Sequence, residues 1–198
     1  MRPMLTRSTQ AIVCATALLT LAACSGDAGG EKTSTSAASS STSPEPTYDD
    51  EYAYAEARKV ATQFRELPSR QPLPEGTKWA TAAYITAYNE QMASLKEQGI
   101  TEKGSVEVNS MHEETSDTDA PGGWDLTMYE CSTSTVRAYK DGKDVTGTPG
   151  DPSTPLPKGP RDTVHLLSYT SPDGGKTWQL DKVQQLLGKD AEESPCAK

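Results

Sequence analysis

Residues 124–132 read WDLTMYECS, and this stretch decides the fold class. Its tryptophan, leucine and methionine alternate with polar neighbours, and a period of two is typical of a strand with one face on a core. Further stretches with strand character lie at residues 105–113, 133–139, 163–170 and 177–183. Asp141 and Gly142 indicate a tight turn after the second of these. The second half of the chain therefore predicts a run of antiparallel strands.

Two helices are predicted ahead of these strands. Apolar residues recur at helical spacing from Ala53 to Leu67, after Thr47 as the expected cap, and Pro68 ends the pattern. A second helix is expected from Thr77, as its cap, to Gln98, before a glycine. Helices followed by strands predict an α+β fold in which the two helices pack on a curved antiparallel sheet.

The first 24 residues are typical of an export signal. Arg2 and Arg7 precede a mostly apolar run that is too short to span a bilayer. Residues 21–24 read LAAC and resemble the bacterial lipobox. The resemblance implies that residues 1–23 are a signal peptide and that a diacylglyceryl group is attached to the Cys24 sulfur. A soluble secreted protein with an incidental cysteine is the alternative.

A linker and one domain are expected after the lipid. Residues 24–46 are rich in Ser and Thr and have no apolar period, so they predict a disordered linker. Residues 47–198 are enough for one domain. Two or three acyl chains anchor stably to a bilayer, so we expect the domain at the extracytoplasmic face of the cell membrane.

The cysteines agree with that compartment. Of the four, Cys14 leaves with the signal peptide and Cys24 carries lipid. Cys131 and Cys196 remain, and an exported domain with two leftover thiols usually pairs them. A free, catalytic Cys131 is the alternative.

The charge balance excludes one class of partner. Without Arg2 and Arg7 the chain has 17 basic and 28 acidic residues, a net charge of −11. Nucleic-acid binding needs a basic surface, so no nucleic-acid partner is expected.

Residues 171–178 read SPDGGKTW and resemble the Asp-box hairpin of sialidase-type propellers. In that turn an aspartate bonds nearby backbone amides and glycines supply positive φ. A propeller needs roughly four or more blades, and only one copy of the motif is present. The motif therefore predicts a structural turn and no sialidase activity.

At the level of the domain, residues 45–198 resemble actinobacterial lipoproteins with a nuclear transport factor 2-like, or ketosteroid-isomerase-like, domain. The residues that carry the resemblance are Tyr129-Glu130-Cys131, Lys140-Asp141-Gly142-Lys143, Trp178 and Cys196. The resemblance implies a cone-like sheet with a cavity between helices and sheet. Many such relatives bind ligands or proteins without catalysis, whereas others are isomerases, dehydratases or cyclases.

Candidate catalytic residues are few. His165 alternates with two apolar or aromatic residues on one strand, and a cavity-lining face would bring together a general base and hydrogen-bond donors from His165, Tyr169, Tyr129 and Tyr84. The carboxylate of an isomerase-type site would come from Glu107 or Asp125. The acidic stretch at residues 112–119 lacks the spacing of a calcium loop and is expected to be a solvated loop. No cofactor and no metal site is expected.

Three functions follow from these patterns. The favoured one is a non-catalytic binding domain for a cell-envelope protein or a small apolar ligand. The alternative is a small-molecule isomerase or dehydratase. A solute-capture protein that feeds a transporter is the third, although the chain is short for two lobes.

Overall fold

The computed structural model of the protein describes residues 47–67 and 71–197, which belong to one unit of the chain, residues 45–198. The predicted signal peptide, Cys24 and the linker up to residue 46 lie outside the described residues, as does Pro68. Within the described ranges, every helix is too short or too polar to cross a bilayer.

The protein is α+β, with two long helices and antiparallel sheets. The elements are α1 Asp50–Arg65, α2 Ala82–Glu97, β1 Ile100–Lys103, β2 Val106–Asp117, β3 Trp124–Ser134, β4 Arg137–Lys140, β5 Lys143–Asp144, β6 Gly147–Thr148, β7 Asp151–Pro155, β8 Arg161–Ser171, β9 Gln179–Leu186, α3 Lys189–Glu192 and a final 3₁₀ turn, Pro195–Ala197.

Both long helices begin later than predicted. Asp49 caps α1, because its carboxylate accepts a hydrogen bond from the backbone N–H of Tyr52 at 2.9 Å, whereas Thr47 lies outside the helix. Thr81 caps α2 in the same way, and the predicted cap Thr77 bonds the Pro74 carbonyl instead. The later start of α2 leaves residues 78–80 free to form a turn and a bridge to β9.

Strands β2, β3, β8 and β9 form the main sheet in that order. In the β3–β8 pair, Leu126 lies opposite Tyr169, Met128 opposite Leu167, and Glu130 opposite His165. Opposite residues project from the same face, so these three pairs share the face that packs on α1.

Gly104 lies where the main sheet gives way to a second sheet, β1-β4-β5. It lies between β1 and β2, with a φ of +112°, and a Cβ at this position would lie 2.4 Å from the Thr135 carbonyl oxygen. The segments around Gly104 and Thr135 therefore approach closely, and β1 pairs with β4 on one side of them while β2 pairs with β3 on the other.

The predicted tight turn is confirmed, whereas the predicted acidic loop is wrong. Asp141 and Gly142 form the predicted turn between β4 and β5, with φ of +50° and +75°. The expected acidic loop at residues 112–119 is wrong, because pairing with β3 extends β2 to Asp117. The proline-rich segment after Gly150 contains a short strand, β7, whose residues are exposed.

The core lies between α1 and the main sheet. It consists of one helix face, the inward residues of three strands and the tryptophan just before β9, which are Ala53, Tyr54, Ala57, Val60, Ala61, Trp124, Leu126, Met128, Leu167, Tyr169, Trp178 and Leu180. The second long helix contributes no buried residue.

The β8–β9 hairpin has the hydrogen bonds of the predicted turn. Asp173 accepts from the Thr177 backbone N–H at 2.9 Å and from its hydroxyl at 2.8 Å. Burial opposes ionisation of Asp173, but these bonds and one from Ser171 hold its pKa below the ordinary value. Trp178 then packs edge-on against Trp124, with ring centroids 5.4 Å apart.

The structure contains the predicted disulfide between Cys131 and Cys196, whose Cα atoms lie 5.3 Å apart. It ties the final 3₁₀ turn to β3, the second strand of the main sheet. A bonded Cys131 has no thiolate to offer, so the alternative of a catalytic cysteine is wrong for this form of the protein.

Candidate functional site

A groove of about 690 Å³ lies between α2 on one side and β9 and β1 on the other. This volume is within the range of small-molecule sites. Its apolar and aromatic lining comes from α1, α2 and β9, and consists of Phe64, Ala83, Tyr84, Ala87, Tyr88, Met92, Leu95 and Val183. His165 of β8 lies in the same lining.

The spacing of α2 creates this wall. Tyr84, Tyr88 and Met92 recur every four residues and so lie on one side of the helix. The two tyrosine rings stack with centroids 6.1 Å apart, and Phe64 of α1 meets both rings edge-on. Tyr84 and Tyr88 are half-buried, and both line the groove, so part of this aromatic wall faces it.

A second groove of about 700 Å³ lies on the other flank of α2 and shares Met92 and Glu102 with the first. Its lining includes Pro72, Ala93 and Ile100. The first groove is the better candidate site, because it contains the aromatic wall and reaches His165 on the sheet.

A buried ion pair lies next to His165, on the inner face of the sheet. Glu130 has no exposed surface. Arg65, in the last turn of α1, donates two hydrogen bonds to it, one of which joins Nε to Oε2 at 2.9 Å. The second joins the guanidinium to Oε1. A bidentate contact of this kind compensates the cost of burying both charges.

His165 is neutral near pH 7. Burial, and secondarily the positive charge of Arg65, lower the pKa of His165 to about 4. Its Nδ1 lies 3.7 Å from Glu130 Oε1, which is too far for a hydrogen bond, and Nδ1 has no partner among the described residues. The contact with Glu130 is therefore not an ion pair at neutral pH.

The two tyrosines close to this cluster are also neutral. Tyr169 is buried, and its hydroxyl has no hydrogen-bond partner in the part of the chain that the structure describes. Burial, followed by the charge of Glu130, raises its pKa. Burial, followed by its neighbour Tyr88, raises the pKa of Tyr84. Neither phenol supplies a general base near pH 7.

Three of the four predicted site residues lie near one another. Tyr84 and His165 both line the groove. Tyr169 lies near them, because the charges of Glu130 and Arg65 affect its pKa. Tyr129 is the exception, because the strand alternation places it on the opposite face, where its hydroxyl bonds Glu114.

The predicted carboxylates are wrong. Glu107 and Asp125 are exposed, and their strand pairing turns both toward the outer face of the sheet. Glu130 is the buried carboxylate that sequence reasoning missed, together with its partner Arg65. The signal was present, because the inward alternation of residues 124, 126 and 128 continues to Glu130.

The chemistry of the site favours binding. Its buried carboxylate is engaged by Arg65 and has no surface in the groove. Among residues 47–67 and 71–197, no three His, Cys, Asp or Glu side chains are grouped to hold a metal ion. The groove offers a ligand aromatic and aliphatic surface, together with polar residues that include Gln91, Glu102, Asp181 and Gln185.

Comparisons with known proteins leave the family open. No protein-family model matches the chain, and no curated protein matches it. The intermembrane-space region of the chloroplast protein ARC6 is similar in structure at a TM-score of 0.42 and 9% identity, covering 72% of this chain and 100% of that one. A likeness this weak carries no argument about fold or function.

Proposed function

We propose that the protein binds a small, largely apolar molecule in the groove beneath α2, without catalysing a reaction, at the extracytoplasmic face of a cell membrane. The observation that carries the proposal is the half-buried aromatic wall of Tyr84, Tyr88 and Phe64, which lines the groove. These rings are half-buried, and a ligand in the groove would cover the part of their apolar surface that still meets water.

The burial of Glu130 argues against the enzymatic alternative. An isomerase or dehydratase needs a base in contact with its substrate. One observation favours such an enzyme, namely that Glu130 and His165 lie side by side near the groove. However, Arg65 donates hydrogen bonds to both carboxylate oxygens of Glu130, and Glu130 has no exposed atom with which to reach a substrate. Glu130 therefore supplies no base to such an enzyme, and this supports the binding proposal.

The membrane anchor is part of the same proposal and rests on the sequence. The LAAC motif that ends at Cys24 supports lipidation, and the Cys131–Cys196 bond agrees with an oxidising compartment. The resemblance to nuclear transport factor 2-like lipoproteins and the cone-like sheet also stay proposals. The groove between α2 and the strands supports them.

Binding of N-phenyl-1-naphthylamine, an uncharged aromatic probe whose fluorescence rises in apolar sites, tests the groove. We expect saturable enhancement with the wild-type protein. Ala87→Trp fills the groove from its wall and should abolish the enhancement. Thr86→Trp adds the same ring at an exposed neighbouring position outside the groove and should leave it intact. Equal binding by both variants would contradict the proposal.

Cell fractionation tests the anchor separately. Cys24→Ala removes the sulfur that would carry the lipid, so the variant should leave the membrane fraction or remain unprocessed. A variant that is processed and bound to membranes like the wild type excludes lipidation at Cys24.

A further inference from the structure

We propose that the ligand of this groove is an alcohol or a phenol, whose hydroxyl group donates a hydrogen bond to Nε2 of His165. This inference rests on the proposed function, since it names the polar group of the molecule that binds in the same groove. It follows from a row of three side chains that crosses the main sheet from its buried interior to the groove.

The row consists of Glu130, His165 and Gln185. Glu130 of β3 pairs with His165 of β8, which pairs in turn with Gln185 of β9. Residues directly opposite each other project from the same face of a sheet, so the three side chains are neighbours on the inner face. Exposure increases along the row, because Glu130 is fully buried, His165 is half-buried and Gln185 is exposed. His165 and Gln185 both line the groove.

The ring of His165 turns one edge toward Glu130 and the other toward the groove. Its Nδ1 lies 3.7 Å from Glu130 Oε1 and is buried. The side chain is nevertheless 19% exposed, so this exposed surface belongs to its other atoms. The two nitrogens lie on opposite edges of an imidazole ring. Nε2 is therefore directed away from Glu130, to the side of β9 and the groove.

Glu130 also determines which nitrogen carries the proton. A neutral imidazole has one N–H and one lone pair. A lone pair on Nδ1 would face the negatively charged Oε1 and be repelled, whereas an N–H there is attracted to it. Burial, followed by the charge of Arg65, lowers the pKa of His165 to about 4, so the ring carries a single proton at pH 7. With that proton on Nδ1, Nε2 is a hydrogen-bond acceptor.

Gln185 completes a site for a hydroxyl group. A hydroxyl both donates and accepts hydrogen bonds, and a side-chain amide can donate to its oxygen while Nε2 of His165 accepts its proton. An ether on the same apolar body accepts but cannot donate. It would remove water from Nε2 and leave the lone pair without a partner, which costs binding free energy. The site therefore favours a molecule with a hydroxyl group over its ether.

Two probes with one aromatic body test the inference. They are 2-naphthol and its methyl ether, 2-methoxynaphthalene, which keeps the oxygen and loses the donor. Each is measured by displacement of N-phenyl-1-naphthylamine from the wild-type protein. We expect the naphthol to bind about tenfold more tightly than the ether.

A variant and a matched control locate the effect. His165→Leu removes the acceptor and should equalise the naphthol and the ether, each corrected for the affinity of the naphthylamine in that variant. Gln91→Leu removes a polar side chain from the α2 side of the same groove, and the preference should persist there. Persistence of the preference in His165→Leu would overturn the inference.

Nitrogen NMR tests the proton assignment in the unaltered protein. The chain has two histidines, and His112→Gln assigns their resonances. We expect His165 to carry its proton on Nδ1, and its Nε2 resonance to shift when the naphthol binds. A proton on Nε2 would overturn the inference. Naphthylamine binding without a preference for the naphthol, or without displacement by either probe, would also overturn it and leave the groove standing. If none of the three compounds binds, both proposals fail.

Discussion

Helices α1 and α2 have the same length, 16 residues, yet they relate to the sheet in different ways. Five residues of α1 are buried, and three of them are alanines. No residue of α2 is buried, and open grooves flank it on both sides. α1 presents three alanines to the core, whereas α2 presents Tyr84, Tyr88 and Met92 to the first groove. One helix therefore builds the core and the other builds the candidate site.

The largest effect should come from the ion pair that joins α1 to the sheet. Arg65→Ala leaves Glu130 buried without a partner, so the free energy of unfolding should fall by about 3–5 kcal/mol. Urea denaturation measures it. Arg58→Ala on the same helix is the control, because its partner Glu113 is exposed and such pairs contribute about 0–1 kcal/mol. If the free energy of unfolding falls equally in the two variants, the buried ion pair does not contribute more than the exposed one.

Overpacking should distinguish the two helices next. Ala57 of α1 has no exposed surface, so Ala57→Leu should destabilise the protein by as much as about 3 kcal/mol. Ala87 of α2 borders the groove, and Ala87→Leu should change stability by less than about 0.5 kcal/mol. Thermal unfolding compares the two. A large loss from Ala87→Leu would show that α2 packs as tightly as α1.

The third prediction concerns acid. The unfolded His165 takes up a proton below pH 6.5, whereas the folded one does so only near pH 4, so stability should be lost as the pH falls between these values. The loss from this residue should reach about 2 kcal/mol at pH 5. His165→Gln should escape that loss, as urea titrations at pH 7.5 and 5 can measure. Parallel pH dependence in the two proteins would contradict a neutral buried His165.

The smallest effects should come from the helix caps. Asp49→Ala and Thr81→Ala each remove a side-chain bond at a helix start and should cost about 1 kcal/mol. The first should lower global stability, because α1 unfolds with the core. The second should mainly speed hydrogen exchange of α2 amides, since α2 has few buried contacts. If each variant speeds hydrogen exchange equally throughout the domain, α2 does not unfold separately from the core.

Local patterns predicted α1 well. The stripe from Ala53 to Ala61 is the buried face of the helix, and Asp141 and Gly142 form the expected turn. The caps were wrong because several polar residues precede each helix and only tertiary contacts choose among them. Residues 112–119 were expected as a loop since their charges suggest solvent, but an exposed strand face accepts charges equally well.

The candidate site was harder to predict than the fold. The alternation predicted that His165 and Tyr169 share one face of the sheet, which is correct. The prediction for Tyr129 was wrong, because its position in the alternation directs it to the opposite face. Glu130 was missed because a carboxylate is expected on the buried face of a strand only when its charged partner is known. That partner, Arg65, lies 65 residues earlier, and no local pattern records such a contact.

The bond between Cys131 and Cys196 also bears on how the protein survives cleavage. It closes a covalent ring that contains β4 to β9 and the largely exposed segment from Asp151 to Pro160. A protease that nicks this segment once leaves both pieces attached, because each runs into the same ring. The nicked protein would migrate as one species on a non-reducing gel and separate into two only after a reductant opens the ring.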